Sequence, residues 1–330
     1  MSARQHGIAM LTAIILVAIA AIVATAIAWQ SQLAARRGIA VFTVAQSLAL
    51  AEGAEALAAY ALRSHQQNNP QIAAPNQDWA KPYGPVEMDA GATLEASLED
   101  QAGKFNLNSV VMAAPGGGPQ PPAGALPGAI STPLAEDHNA VAQFEALLAG
   151  LNIDSIYAAR LVDWIDTDDQ PTFPGGAEDG FYLSQQPPHR VPNLPLTSIS
   201  ELLSMGMDRV SYEKLAPFVT ALPPDTKLNI CTAPGEVLDA ISGQRSFGLD
   251  PKQLAQQRQQ FNCYPDRAAF LAGVSSEWKG YVPNHVDTRS SYFRLRTWIT
   301  IGTTRFTLYS LIKQDPSGQI RPILRTFGTE

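Results

Sequence analysis

Between Arg4 and Arg36 the chain carries no Lys, Arg, Asp or Glu, and His6 is the one titratable side chain there. From Ile8 to Trp29 the run is apolar apart from Thr12 and Thr25. As a helix that run extends about 33 Å at 1.5 Å per residue, against ~30 Å of hydrocarbon, so 8–29 is expected to span a membrane. A cleaved secretory signal would have an apolar region of only ~7–15 residues, closed by an Ala-x-Ala-like site. Here the apolar stripe continues through Leu33, Ile39, Phe42, Leu48, Leu57 and Tyr60 to Leu62, so the helix is expected to run on to about residue 63. Arg4 precedes the span and Arg36 and Arg37 follow it, so the positive-inside count does not orient it.

Across 330 residues, 30 acidic and 23 basic side chains leave a net charge of −7, and charged residues make up 16%. That is low against the ~25% of ordinary soluble domains. No Lys/Arg cluster accompanies the acidic balance, so no nucleic-acid partner is expected: neutralising phosphates needs concentrated positive charge. The 2 cysteines are too few for a disulfide-stapled mini-fold or a four-cysteine zinc site. The 24 Gly and 25 Pro point to long loops, and the length suffices for a buried core.

Beyond the first helix, Pro70 and Pro75 mark a break. Leu94, Ala96 and Leu98 alternate with Glu95, Ser97 and Glu99, the pattern of a half-buried strand. Residues 113–133 hold 6 Pro and 5 Gly without a charge and read as a loop. Gly116-Gly117-Gly118 within it is no phosphate cradle, since no strand feeds it and no Lys follows. From Asp137 to about Val219 the pattern is helical: Ile153, Tyr157, Leu161 and Trp164 share a face, with helix starts at Asp137 and at Ser198 with Glu201. Thr232 is expected to cap a further helix, with Pro234 in its first turn. Past Tyr281 the period becomes two: Phe293, Leu295, Ile299 and Ile301 oppose Arg294, Arg296, Trp298 and Thr300. A second run, Thr304 to Ile312, follows Gly302-Thr303, and the turn Asp315-Pro316-Ser317-Gly318 leads into a third, predicting an antiparallel meander. Lys104-Phe105-Asn106-Leu107 and Lys227-Leu228-Asn229-Ile230 form a faint repeat, each ahead of helical sequence.

The five histidines, His6, His65, His138, His189 and His285, form no His-Glu-x-x-His and no close pair. Neither a Gly-x-Ser-x-Gly elbow nor a Walker loop is present. The dense carboxylate group is Asp163, Asp166, Asp168, Asp169, Glu178 and Asp179. Hard cations need six to eight oxygens, which such loops supply. Asp166, Asp168 and Gln170 fit the first positions of an EF-hand loop, but Pro171 and Ala177 stand where Gly and Glu are required. From the residues alone a solvated acidic loop is the simpler reading.

Arg4-Gln5-His6-Gly7 followed by Ile8-Ala9-Met10-Leu11-Thr12 resembles a type IV prepilin leader. In that class an inner-membrane prepilin peptidase cuts after the Gly on the cytoplasmic side, and the new N-terminus is methylated. The resemblance makes Gly7 the last leader residue and Ile8 the first mature one. Most pilins and pseudopilins carry Glu at mature position five, where this chain has Thr12. A carboxylate in hydrocarbon is costly unless paired, and in pilins it can pair with a neighbour's N-terminal ammonium. A subunit with none above it does without that pairing, and lack of the Glu is typical of the K-type minor pseudopilin of type II secretion. Three further stretches resemble that family: Glu99-Asp100 through Asn106-Leu107-Asn108, Asp163-Trp164-Ile165-Asp166 through Phe173 to Asp179, and Leu228-Asn229-Ile230-Cys231 through Leu238.

The resemblance implies an α+β fold: a pilin-like long N-terminal helix packed on an antiparallel sheet, with a large inserted all-helical, SAM-like region. The expected domains are the leader, 1–7; the transmembrane helix, 8–29, continuing to about 63; the sheet domain, 64–111 and 280–330; an inserted helical domain, 112–224; and a second helical module, 225–279. The implied role is non-enzymatic, nucleating or capping the pseudopilus tip for export across the outer membrane. I-type and J-type minor pseudopilins are the expected partners, with the H-type and major pseudopilin below. The expected location is the bacterial inner membrane, single-pass, with the bulk of the chain in the periplasm. Calcium is the implied structural cofactor, with Asp166, Asp168, Asp169, Glu178 and Asp179 as expected ligands. Export to an oxidising compartment leads us to expect a disulfide between Cys231 and Cys263. The rival reading is a membrane-anchored, calcium-dependent periplasmic hydrolase using the same carboxylates as acid and base. The prepilin-like leader and the missing nucleophile motif stand against it.

Overall fold

The structure, a computed structural model, describes residues 5–88, 91–113, 134–244, 252, 254, 256, 258, 263–264, 267–315 and 317–328. Most of the Pro/Gly-rich loop expected at 113–133 lies outside the described residues, as do residues 1–4 of the leader.

The first helix, α1 (Gln5–Asn68), is 64 residues long, running one turn past the expected end. Every side chain from Ala9 to Phe42 is exposed. A lone helix suits hydrocarbon because its backbone bonds are internal. The two hydroxyls of the 8–29 run are also satisfied within the helix: Thr12 donates to the Ala9 carbonyl, and Thr25 to those of Ala21 and Ile22. Burial begins at Ser47 and continues through Ala51, Ala54, Glu55, Ala58 and Leu62, a stripe at helical spacing. Of the expected stripe, Leu62 faces the core at this end but Leu57 and Tyr60 do not. Leu57 and Tyr60 are 38% and 69% exposed. Alanines replace them at the contact because small side chains let the helix approach the sheet closely.

That sheet is formed in part by β1 (Tyr83–Met88) and β2 (Ala92–Asp100). The chain then passes through β3 (Phe105–Asn106), β4 (Val111–Ala113) and β5 (Leu134–Glu136) into helices α2 (His138–Gly150) and α3 (Ile156–Ile165). Three shorter helices follow, α4 (Asp179–Tyr182), α5 (Glu201–Ser204) and α6 (Arg209–Leu215). Next come β6 (Val219–Thr220), β7 (Leu228–Asn229) and α7 (Gly235–Ser242), short helices at Arg267–Ala272 and Val282–His285, and β8 (Val286–Asp287). The chain returns to the sheet as β9 (Tyr292–Ile301), β10 (Thr304–Gln314) and β11 (Ile320–Phe327).

The five strands lie in the order β1-β2-β9-β10-β11, all neighbours antiparallel, which is the expected meander with β2 added beside β9. Gly302 takes φ +59° in the two-residue turn joining β9 to β10, as hairpin turns of this length require. Leu94, Phe293, Leu295, Ile299, Leu308 and Ile312 face the alanine stripe of α1 in one core. Strand β1 has no clear sequence signal because it contains Pro85. It is tolerated at the sheet edge, where β1 pairs only with β2.

A second, larger core belongs to the helices, around Phe144, Leu147, Leu161, Ile165 and Leu202. Phe105, Leu107, Val110 and Val111, placed with the sheet domain in the sequence reading, pack in this helical core. The reason is pairing: β3 runs parallel to β6, not alongside the large sheet. The faint repeat has a structural counterpart. Phe105-Asn106 pairs in parallel with Val219-Thr220, and Leu228-Asn229 with Val286-Asp287. In both copies the buried Asn turns its Oδ1 onto the amide two residues on, that of Asn108 and that of Cys231. Each helical module is thus closed by a two-residue parallel ladder.

Asp137 caps α2 as expected, accepting from the Asn139 and Ala140 amides. Thr232 does not cap α7, whose N-cap is Pro234. Its hydroxyl donates instead to the buried Asp100 carboxylate, 2.6 Å away. Glu201 reaches back to the Thr197 and Ser198 amides, but α5 starts at Glu201 itself, two residues later than a capping box at Ser198 would place it. Asp100 also receives Ala102 N, Asn229 Nδ2 and the Ser290 hydroxyl, so one carboxylate joins β2 to the second module and to the approach to β9. Burial raises its pKa, opposed by these four donors.

Candidate functional site

Gly7 and Ile8 lie in the first turns of α1, at the start of the apolar run. The acidic loop lies far along the chain, between α3 and α4. The amphipathic α3 ends with Asp163 and Trp164 on its last turn and Asp166 as its C-cap. Trp164 is buried against Tyr182, ring centroids 5.3 Å apart, and its indole N–H donates to Glu201. These contacts hold both ends of the loop, so carboxylates separated in sequence meet.

One oxygen each from Asp166, Asp168 and Glu178 lies within 4.8 Å of the others. Asp166 and Glu178 are buried and Asp168 is exposed, giving the group one open side. Asp163, fully buried beside them, uses Oδ1 to accept from the Thr172 amide at 2.9 Å. Its Oδ2, Asp166 Oδ1 and Glu178 Oε1 are all buried without a hydrogen-bond partner among the described residues. No Lys or Arg of the described residues pairs with any of the four.

Electrostatics follow from this. Burial, then the charges of Asp168 and Asp163, pushes the Asp166 carboxyl up to about 7. Glu178 is pushed to about 7 by burial and then by Asp163 and Asp166. Asp163 is raised chiefly by burial. Such a cluster can hold protons or an oxygen-liganded cation, but not four bare charges at low cost. Gly176 makes the close packing possible: a Cβ there would stand 2.2 Å from Asp163 Oδ2 and 2.5 Å from the Thr172 backbone.

The structure brings together three of the five expected ligands and not the other two. Asp169 is exposed and accepts from the Gln170 side chain. Asp179 accepts from the Val191 amide and pairs with Arg190 at 3.5 Å, so its charge is already answered. Asp163 takes their place in the group. Its signal was the i, i+3 spacing to Asp166, which puts both at the same end of α3.

Cys231 and Cys263 are disulfide-bonded, with Cα atoms 4.7 Å apart and both residues fully buried. Beside the bridge, Arg258 donates to the carbonyls of Ile230 and Ala233. The remaining residues of the sequence motifs prove to be joints. Asn108 donates to the Leu196 and Leu222 carbonyls and accepts from the Leu196 amide. Asn106 accepts from the Leu222 amide and donates to the Pro223 carbonyl.

A family model described as type II secretion system, protein K, matches residues 103–224, from the start of the helical region to the end of its first module. Type II secretion system protein K of Pseudomonas aeruginosa is 32% identical over 98% of this chain and 93% of its own length. The protein of that name from Klebsiella pneumoniae is 30% identical over 99% of this chain and 96% of its own. The crystal structure of the GspK-GspI-GspJ complex from the enterotoxigenic Escherichia coli type 2 secretion system contains a similar chain, with a TM-score of 0.71 and 28% identity. That likeness covers 89% of this chain and 100% of the other. Matched in sequence over 98% of its length by a protein K and in structure over 89%, the chain belongs to the type II secretion system protein K family, the K-type minor pseudopilins.

Proposed function

We propose that this minor pseudopilin caps the tip of the pseudopilus, starting its assembly together with I-type and J-type minor pseudopilins, with the H-type and major pseudopilin below. The observation that carries the reading is the likeness, over nearly the whole chain, to a chain solved in a complex with GspI and GspJ. Two features of this chain support the tip position. Thr12 replaces the carboxylate that would pair with a subunit above, and its hydroxyl is satisfied within its own helix. The helical region also adds a second core as a broad head beside the sheet, where a subunit inside a filament would need a narrow profile.

On this reading α1 anchors the chain once in the inner membrane and the rest stands in the periplasm. A prepilin peptidase removes residues 1–7 after Gly7 and leaves N-methylated Ile8 as the first residue. The role is one of assembly, without catalysis. The whole-chain relatives are secretion-system components, which weighs against the hydrolase alternative. Calcium is structural. Asp163, Asp166, Asp168 and Glu178 would hold it, and the three orphaned buried oxygens and the missing counter-charge are what fit a hard cation. Its binding would set the loop between Trp164 of α3 and Tyr182 of α4, and so the shape of the head.

Intact-mass analysis of chain purified from a peptidase-competent strain tests the leader. The expected mass corresponds to a methylated chain starting at Ile8, and any other start overturns that assignment. Overproduction tests the tip role. Excess caps should start many filaments and lengthen none, so pseudopili should shorten, and unchanged length over a wide expression range would remove the capping role.

A further inference from the structure

Arg36 and Arg37 are two cations of α1 that serve neither the span nor the contact with the sheet. Both are exposed, and no ion pair among the described residues includes either of them. The chain places no carboxylate near them. All 30 acidic residues lie from Glu52 onward. Glu52 stands about 22 Å beyond Arg37 along the helix and is turned to Arg325 at 3.8 Å. Burial of α1 begins at Ser47, about 15 Å past Arg37, so the folded body does not reach back to cover either side chain.

Their place relative to the span is defined by Trp29. That residue ends the apolar run and Gln30-Ser31-Gln32 follows it, a change of composition that suits the membrane interface. Leu33, Arg36 and Arg37 come four, seven and eight positions after Trp29, on one face of the helix. At 1.5 Å per residue the two Arg backbones stand about 10 and 12 Å beyond Trp29. The headgroup layer is about 5–8 Å deep on each side of the hydrocarbon. Helical Cα–Cβ bonds tilt toward the N-terminus, so both long side chains lean back toward the bilayer. Laid along that face, their stems bring the guanidinium groups to the level of the lipid phosphates.

We propose that Arg36 and Arg37 bind the phosphates of anionic phospholipids and gather these lipids around α1 at the end of its span. Charge complementarity selects the occupant. An anionic leaflet attracts cations held at its surface, and the planar fork of a guanidinium matches two phosphate oxygens. The carboxylates of the body do not cancel this attraction. The nearest along the helix lies about 22 Å away, well past the ~8 Å over which charges are felt at physiological salt. The proposal rests on the reading of α1 as a membrane span, in either orientation, and is independent of the tip role and of the acidic loop.

The test uses the full chain, one copy per phosphatidylcholine nanodisc, with a trace of either pyrene-labelled phosphatidylglycerol or pyrene-labelled phosphatidylcholine. Energy transfer from Trp29 to pyrene is the readout, and the Trp29→Phe chain subtracts the contribution of the other four Trp. Phosphatidylglycerol should be preferred about fivefold or more near Trp29, and high salt should reduce the preference. Arg36→Gln with Arg37→Gln, outside both cores, should abolish it, while Arg36→Lys with Arg37→Lys should keep part of it, because an ammonium retains the charge without the fork. Equal transfer to the two lipids in the native chain would overturn the proposal and leave the cations to carboxylates of a neighbouring helix, which a single chain per disc excludes. An unchanged preference in the double Gln chain would overturn it too, as would its loss to millimolar inorganic phosphate at constant ionic strength, the mark of a free-anion site. Transfer from Trp29 to neither lipid would mean that the span is not inserted, which removes the membrane reading and the proposal together.

Discussion

The Glu55 carboxylate, buried on the sheet-facing side of α1, receives both Nε and Nη2 of Arg325, at 2.8 and 2.5 Å. The Ser310 hydroxyl donates to the same Oε1 at 2.6 Å. One charged residue therefore fastens the long helix to β10 and to the edge strand β11, whose own residues are mostly exposed. An apolar stripe alone would let the helix slide along its axis. The bidentate pair fixes its register on the sheet.

Arg325→Ala should destabilise the chain. Breaking a fully buried pair costs about 3–5 kcal/mol, and because Arg325 remains 40% exposed, about 2 kcal/mol is the expected loss. Urea unfolding of the full chain in detergent should show a lower midpoint. A midpoint equal to that of the native chain would mean that α1 is held by its alanine contacts alone.

Asn108→Ala removes three hydrogen bonds that tie the strand-to-helix crossover to residues 196 and 222. Two carbonyls and an amide would be left buried, at a cost of about 2–4 kcal/mol. Hydrogen exchange should quicken in the helical core while the sheet stays protected.

In the ion-free chain, Asp166 and Glu178 keep their protons to about 7. Unfolded, they would release them near 4. Over that interval the folded state binds more protons, so this contribution to stability is complete below about pH 4 and is lost as pH rises to 7. With chelator present, the melting temperature should therefore fall between pH 5 and pH 7.5. Calcium binds the ionised carboxylates, so its stabilising increment should be larger at pH 7.5. Asp168→Ala with Glu178→Ala should remove most of that increment, and Asp169→Ala should keep it. Identical melting curves with calcium and with chelator would reduce the site to an acidic loop.

Cys231→Ser with Cys263→Ser opens a loop spanning a separation of 32 residues. The chain-entropy model puts the loss at about 3–4 kcal/mol. Calorimetry should place it in the second helical module, and alkylation under non-reducing conditions should label neither thiol of the native chain.

The parts of this protein legible in sequence are those governed by local rules. The span from Ile8 to Trp29 needs only the hydropathy of consecutive residues, and the meander of β9 to β11 needs only alternation of side chains and the turn at Gly302. The Asp137 cap is equally local. Contacts between distant residues were beyond such rules. Which face of α1 is buried depends on how closely the helix meets the sheet, so Ala51, Ala54 and Ala58 displaced the larger Leu57 and Tyr60 from the interface. Thr232 carries the sequence mark of a cap, yet Asp100, 132 positions earlier, claims its hydroxyl. In the acidic loop the sequence determined that carboxylates would crowd. Only folding decided that Arg190 would neutralise Asp179, that Asp169 would turn to solvent, and that Asp163 would join Asp166, Asp168 and Glu178. The physical reason is that a charge's environment is set by burial and by neighbours in space, and neither quantity is carried by position along the chain.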